Sequence, residues 1–416
     1  MQNRSLSLEW MAAAIITVCV LATATRSAAQ QETVLYNFGN GADTSAPEGN
    51  LTVDSAGNFY GTSDQGGGTY GGGTVFELTR NADGTWANKI LHSFGNGNDG
   101  SRLRSGVIFD TAGHLFGTTI EGGAHNQGTV FEMTRRANGI WAEKILHSFN
   151  GTDGINGWDK LTFDASGNMF STTAIGGNYG QGTLYEMMPK AGGGWTFKVL
   201  HHFGNGHDGA QPQGGLILDT AGNLYGATTY GGRYGVGTVF EFSPKAGGGW
   251  IEKLLYSFKN NGVDGGNPFS SVIFGADGNL YGDTYFGGAV GSGTVYELTH
   301  TSGGGWTETT LYNFPNNLAA DGSNPQTRVT FDAAGNLYGS AGWGGGIEPG
   351  AGTIFKMTPT AGGTWNYEVL HNFNDSATDG YRPSFCEIVF DSSGNLYGLT
   401  GQGGTYGTGT FYQIAP

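Results

Sequence analysis

Cysteine is nearly absent from this chain: there are two in 416 residues, and one of them, Cys19, lies in an apolar leader. Cys386 alone cannot form an internal disulfide, so packing has to hold the fold together without cross-links. It stands just before the apolar run Ile388-Val389-Phe390, with no His or cationic partner indicated, and so reads as a small core residue and not as a nucleophile. Charge is also scarce. Only 13% of residues are charged, with 19 Lys and Arg against 34 Asp and Glu, for a net charge of −15. That balance excludes nucleic-acid backbone binding and attraction to an anionic membrane surface, both of which draw on Lys and Arg. No segment carries the apolar spacing of a convincing amphipathic helix, and the apolar run Met11 to Ala24 is too short to span a bilayer.

What is abundant is glycine, at 79 residues, together with aromatic residues at 13% that recur at fixed places. Regular placement of aromatics points to packed turns and not to a disordered low-complexity chain. Residues 1–29 read as a secretory signal: Arg4 gives the positive start, Met11 to Ala24 the apolar core, and Ser27-Ala28-Ala29 or Ala22-Thr23-Ala24 the small-residue cleavage site. The expectation is a secreted, periplasmic or extracellular protein made of a single domain over residues 30–416. No hydrophobic or sorting segment follows Ile414, so no membrane anchor is expected after cleavage, and the expected state is a monomer.

The domain is built from one repeated unit, shown well by Asp219 to Glu241, DTAGNLYGATTYGGRYGVGTVFE. An apolar run ends at Asp54, Asp110, Asp164, Asp219, Gly275, Asp332 and Asp391, and three residues later stands a glycine, as at Gly222. Asp opening a turn and Gly closing it between apolar segments is hairpin chemistry. A Gly-Thr-Val-Phe-Glu segment such as Gly237 to Glu241 follows, with the alternation of a half-buried strand, and then a Trp-led strand such as Trp250 to Phe258. Four short strands per unit, repeated radially, specify an all-β, seven-bladed β-propeller with four antiparallel strands per blade. The last unit stops after its third strand, and the first strand, Val34 to Phe38, is a fourth strand without the other three. The N-terminal strand is therefore expected to close the last blade and remove the open edges.

The run of GNLYG, GG, YG, GTVFEL, W and LYSF, with Asp-Gly before the next unit, resembles the GloVer tandem repeat, the Gloeobacter/Verrucomicrobia type found in exported bacterial proteins. The resemblance covers Glu32 to Pro416. It implies a repeat scaffold and no particular reaction. The Asp-x-x-Gly-Asn turn is also similar to that of lactonase-like and NHL-type propellers.

With the first strand of each unit innermost, the loops that enter it and the loops between second and third strands share one face, where binding belongs. Each entering loop carries an aspartate: Asp43, Asp99, Asp153, Asp208, Asp264, Asp321 and Asp379. These read as turn caps, with calcium ligation as the functional alternative. His92, His147, His201 and His371 occupy a place that is Tyr36, Tyr256 and Tyr312 elsewhere, which reads as an amphipathic packing position.

Departures from the repeat are the better guide to a site. They give Asn50, Lys160, Arg328 and Glu387 in one ring near the channel mouth, Arg104 and Trp158 just outside it, and Tyr230, Phe286 and Trp343 in the loops between second and third strands. Aromatic platforms beside amides and charges suit a glycan, a peptide or another small ligand. The leading expectation is a non-enzymatic binding or interaction module without a cofactor, for glycan or cell-envelope material. A lactonase-like hydrolase or lyase with a divalent ion such as Ca2+ held by Glu48, Asp159 and Glu387 is the alternative, and a structural surface or matrix protein a third.

Overall fold

A computed structural model describes residues 32–415 except 42, 69, 316–320, 347–349, 375 and 384; the expected leader over 1–29 and Cys19 lie outside the described residues. No helix occurs among the described residues, and seven sheets of four antiparallel strands form the blades of a propeller. The fourth blade is typical. Its strands Ile217–Leu218, Leu224–Thr228, Thr238–Pro244 and Trp250–Ser257 pair in chain order from the channel outward. The seventh blade takes its outer strand, Glu32–Asn37, from the amino-terminal end of the domain, with Glu32 opposite Ile414 and Asn37 opposite Thr410.

The repeated residues have specific local work. Asp219 Oδ1 accepts the backbone N–H groups of Ala221 and Asn223, and its Oδ2 accepts Asn223 Nδ2 at 2.7 Å and the Tyr225 hydroxyl at 3.1 Å. Burial pushes this carboxyl up, but those donors outweigh it and hold its pKa below the usual range. In the fifth blade Gly275 cannot fill that role, and Asp277 takes over, accepting Asn279 Nδ2 and the Tyr281 hydroxyl. The glycine of Leu-Tyr-Gly makes room for an aromatic ring: a Cβ on Gly226 would lie 2.5 Å from Phe240 Cζ, and Phe240 is buried.

Each outer strand carries one β-bulge against its neighbour, as where Val239 faces Tyr256 but Phe240 faces Leu254. The extra residue is a leucine in all seven blades, among them Leu91, Leu255 and Leu370, which are buried. A bulge resets which side chains face inward, so two consecutive apolar residues can both reach cover.

Beyond the bulge, a donor from the outer strand reaches the aspartate of the next loop in every blade. The pairs are Tyr36–Asp43, His92–Asp99, His147–Asp153, His201–Asp208, Tyr256–Asp264, Tyr312–Asp321 and His371–Asp379, at 2.7–3.1 Å. Tyr and His exchange there because each offers one hydrogen-bond donor at the end of a flat ring, so the position is a latch as well as a packing site. Three residues past each aspartate the backbone turns left-handed, at Ala46, Arg102, Asn156, Gln211, Asn267, Asn324 and Arg382, with φ from 50° to 60°. The N–H of each then donates to a carbonyl of the preceding blade at 2.7–3.1 Å.

Replacing the Tyr256 donor tests the latch. Tyr256→Phe is expected to lower the unfolding free energy in urea by about 1–3 kcal/mol, because the buried Asp264 carboxylate keeps the Lys259 N–H but loses its side-chain donor, whereas Tyr256→His retains most of it.

Candidate functional site

The loops entering the inner strands and those between second and third strands pair with one another, as in Gly209–Ala210 with Tyr230–Gly231 and Gly380–Tyr381 with Gln402–Gly403. They therefore stand on one face, as expected. Two cavities adjoin there. A small one of about 70 Å³ at the channel mouth is lined by Asn50, Arg104, Trp158, Asp159, Lys160, Arg328, Phe385 and Glu387, among others. A wider basin of about 570 Å³ lies over the sixth, seventh, first and second blades, with Tyr285 of the fifth at its edge, and shares Arg104, Gln326 and Phe385 with the mouth. Its other walls include Glu48, Asp64, Arg102, Trp343 and Arg382.

Seven of the sequence-derived candidates, Asp159 of the metal alternative among them, thus converge on the mouth. Asn50 Oδ1 accepts the backbone N–H of Glu387 at 3.1 Å, and Arg328 Nη2 donates to Glu387 Oε2 at 2.9 Å. Lys160 has no carboxylate within 4 Å among the described residues, and burial depresses its ammonium pKa, opposed by Glu387 and assisted by Arg328. Arg104 lies with its guanidinium 5.2 Å from the Trp158 ring centre. Its Nε donates to Asp64 Oδ1 at 3.1 Å and lies 2.9 Å from Glu48 Oε2. Burial pushes Asp64 up, but Arg104 and Arg102 outweigh that and hold its carboxyl below the usual range. For Glu48, burial wins over Arg104 and the carboxyl is raised.

Trp343 belongs to the basin and not to the mouth. Tyr230 and Phe286 line neither cavity; they are 42% and 44% exposed, on the loop pairings with Ala210 and Gly266. The carboxylates considered for a divalent ion are each engaged elsewhere: Glu48 by Arg104, Glu387 by Arg328, and Asp159 by the Thr172 hydroxyl. Clusters of three metal-ligating side chains do occur among the described residues, but at other places.

Arg382 and Arg102 went unremarked in the sequence, although both fall where Asn156, Asn267 and Asn324 stand in other blades. Asn tolerates a left-handed backbone, while other side chains pay on the order of 1 kcal/mol for it. Three of the four departures from Asn, namely Ala46, Arg102 and Arg382, line the basin. Phe385, shared by both cavities, is also left-handed at φ 62°, an uncommon posture for a bulky residue. The Arg382 guanidinium lies 3.7 Å from the Trp343 ring centre and has no carboxylate within 4 Å among the described residues. Buried polar atoms without a hydrogen-bond partner stand at both cavities, Trp158 Nε1 at the mouth and Arg382 Nε at the basin. Buried donors are normally paired, so these two N–H groups are open to a further acceptor.

Beneath the mouth Asp283 is fully buried, accepts the Ser270 hydroxyl at 2.8 Å, and has its pKa pushed up to about 8 by burial. A raised carboxyl favours the folded state at low pH, and that contribution is lost as pH climbs from about 4 to about 8. Asp283→Asn is expected to raise Tm at pH 8 while leaving it unchanged at pH 4, as followed by circular dichroism melts.

A family model described as the Gloeobacter/Verrucomicrobia repeat matches residues 21–162, 67–273, 137–348 and 251–416. No curated protein matches the chain in sequence. Among solved structures the chain is similar to an ancestral GH74 enzyme, with a TM-score of 0.57 and 12% identity over 93% of this chain and 48% of that one. It is also similar to a Mycobacterium tuberculosis puromycin-hydrolyzing peptidase, with a TM-score of 0.50 and 11% identity over 86% of this chain and 49% of the other. The chain spans about half the length of each, and likeness at such identity shows the propeller fold alone. The repeat matches together run through all seven blades, and the chain belongs to the Gloeobacter/Verrucomicrobia repeat family.

Proposed function

We propose that the loop face binds a glycan, with mostly neutral sugars along the basin and one carboxylate-bearing sugar at Arg382. The observation that carries this reading is the state of Arg382. Its planar fork is held flat on Trp343, its Nε is buried without a partner, and no carboxylate lies within 4 Å among the described residues. An arginine fixed in one orientation and left uncompensated suits a bidentate carboxylate. Arg102 and Arg104 are already neutralised by Asp64, Glu121 and Glu48. The net charge of −15 also disfavours a dense polyanion. Gln65, Gln326 and Gln402 along the basin offer the planar donor and acceptor pairs that sugar hydroxyls use. Trp158 and Phe385, edge to face at 6.3 Å, supply apolar surface at the mouth.

A hydrolase or lyase is the second reading, favoured by one observation. Asp159 lines the mouth with its carboxyl pushed up to about 7 by burial, a range suited to general acid work at neutral pH. Against it stands the bond from Thr172, which turns the carboxylate toward the blade.

Calorimetry with glucuronate-substituted xylan oligosaccharides and with unsubstituted ones separates these readings. The substituted ligand is expected to bind more tightly, and Arg382→Met to weaken it about 10–100-fold, the cost of one charge-assisted pair. Trp343→Ala is expected to act in the same direction. Equal affinity for both ligands, unchanged by Arg382→Met, would remove the carboxylate from the reading. Turnover of either oligosaccharide that disappears in Asp159→Asn would favour the enzyme.

A further inference from the structure

We propose that three of the seven latches between blades bind zinc or a similar divalent transition-metal ion: His201–Asp208–Glu252, His92–Asp99–Glu143 and His371–Asp379–Glu32. In each, the histidine comes from one outer strand, the aspartate from the loop that follows, and the glutamate from the outer strand of the next blade. The three candidate ligand atoms lie within 4.8 Å of one another in all three clusters. At the first, His201 Nε2 is 2.7 Å from Asp208 Oδ2 and 3.7 Å from Glu252 Oε2. Zinc held at about 2.0–2.2 Å by nitrogen and oxygen donors sets tetrahedral ligands about 3.3–3.5 Å apart, so the donors bracket the spacing such an ion imposes. A nitrogen ligand beside two carboxylates favours zinc and its neighbours over calcium or magnesium, which take oxygen.

The other four latches serve as built-in controls. Three of them carry another residue in place of the glutamate: Asn88 near Asp43, Phe197 stacked on His147 at 3.7 Å, and Tyr367 stacked on Tyr312 at 3.8 Å; the fourth keeps a glutamate, Glu308 near Asp264, but has Tyr256 in place of the histidine. A latch therefore holds without a carboxylate at that position, and the fold does not require one there. Where a glutamate stands in a latch without histidine, it is satisfied: Glu308 Oε1 accepts the Thr310 hydroxyl at 2.9 Å. Where histidine is present it is not. Glu32 Oε1, Glu143 Oε1 and Glu252 Oε1 are all buried without a hydrogen-bond partner, and so is Asp379 Oδ2 on a residue only 3% exposed. Unpaired buried oxygens beside a histidine nitrogen, three times over, match a missing positive partner. The His201 and Glu252 side chains stay 23% and 21% exposed, which leaves water access to a fourth position on the ion. Such an ion would cross-link consecutive blades at their rims, away from the residues of the loop basin.

The test uses the full chain stripped with EDTA and titrated with zinc chloride alone. Elemental analysis after desalting is expected to give three zinc ions per chain, and zinc to raise Tm by at least about 2 °C through preferential binding to the folded state. The triple variant His92→Tyr, His201→Tyr, His371→Tyr keeps a donor to each aspartate, as Tyr36, Tyr256 and Tyr312 do, and is expected to fold, to bind no zinc, and to show no zinc-dependent Tm shift. Should that variant fail to fold, Glu32→Asn, Glu143→Asn, Glu252→Asn together offer the residue that Asn88 already places in one latch, with the same expected loss. Wild-type protein that retains no zinc, or zinc retained equally by a folded variant, overturns the proposal.

Discussion

The hydrogen bond from each outer strand to the aspartate of the following loop is the constraint on which the loop face depends. It fixes the loop at its root, one residue before the short pairing with the neighbouring loop begins. From that anchor the left-handed residue follows at three places on, at five places on come Glu48, Arg104, Trp158, Gln213, Phe269 and Gln326, and in the seventh blade Phe385 comes at six; all seven face one of the two cavities. The chain can thus vary the residues at the mouth freely, because their positions are set by a bond made elsewhere. This is how a scaffold with seven near-identical units presents a site that has no seven-fold symmetry.

The architecture was legible in the sequence because each local signal is repeated and each copy agrees with the others. Asp219, Asn223 and Tyr225 are three letters of a motif and also three members of one hydrogen-bond network, so reading the turn read the structure. The pairing of Glu32–Asn37 with Thr410–Ile414 was likewise visible as one surplus strand and one shortage. The mouth was legible for a different reason: its residues sit at a constant offset from a recognisable aspartate, so alignment of the repeats brings them together.

Other features depend on geometry that offset does not carry. Tyr230, Phe286 and Trp343 hold equivalent places, yet only Trp343 meets the basin, since Arg382 stacks on it from the adjoining loop. Lys160 and Arg328 share one ring in the aligned repeats and carry the same charge. In the structure Arg328 is paired with Glu387 and Lys160 is not paired with any carboxylate within 4 Å among the described residues. The exchange of His for Tyr was read as packing because the partner that makes them equivalent lies in a separate loop, seven residues away between His92 and Asp99. Which of those latches also gathers a glutamate depends on the next blade, a full repeat further along.

The seventh blade brings an early strand and the last strand of the domain into one sheet. Synthesis runs from the amino end, so Glu32–Asn37 emerges first and has to wait for its partner until Thr410–Ile414 is made. Closing so long a loop costs only about 0.6 kcal/mol more for each doubling of its length, but it delays the event in time. Six blades can assemble as neighbours while the ring stays open, and the final pairing registers that the whole domain has been made. A chain cut short leaves the backbone edge of Glu32–Asn37 unpaired and the packing of Leu35, Tyr36 and Phe38 incomplete, an open edge of the kind that invites association with other strands.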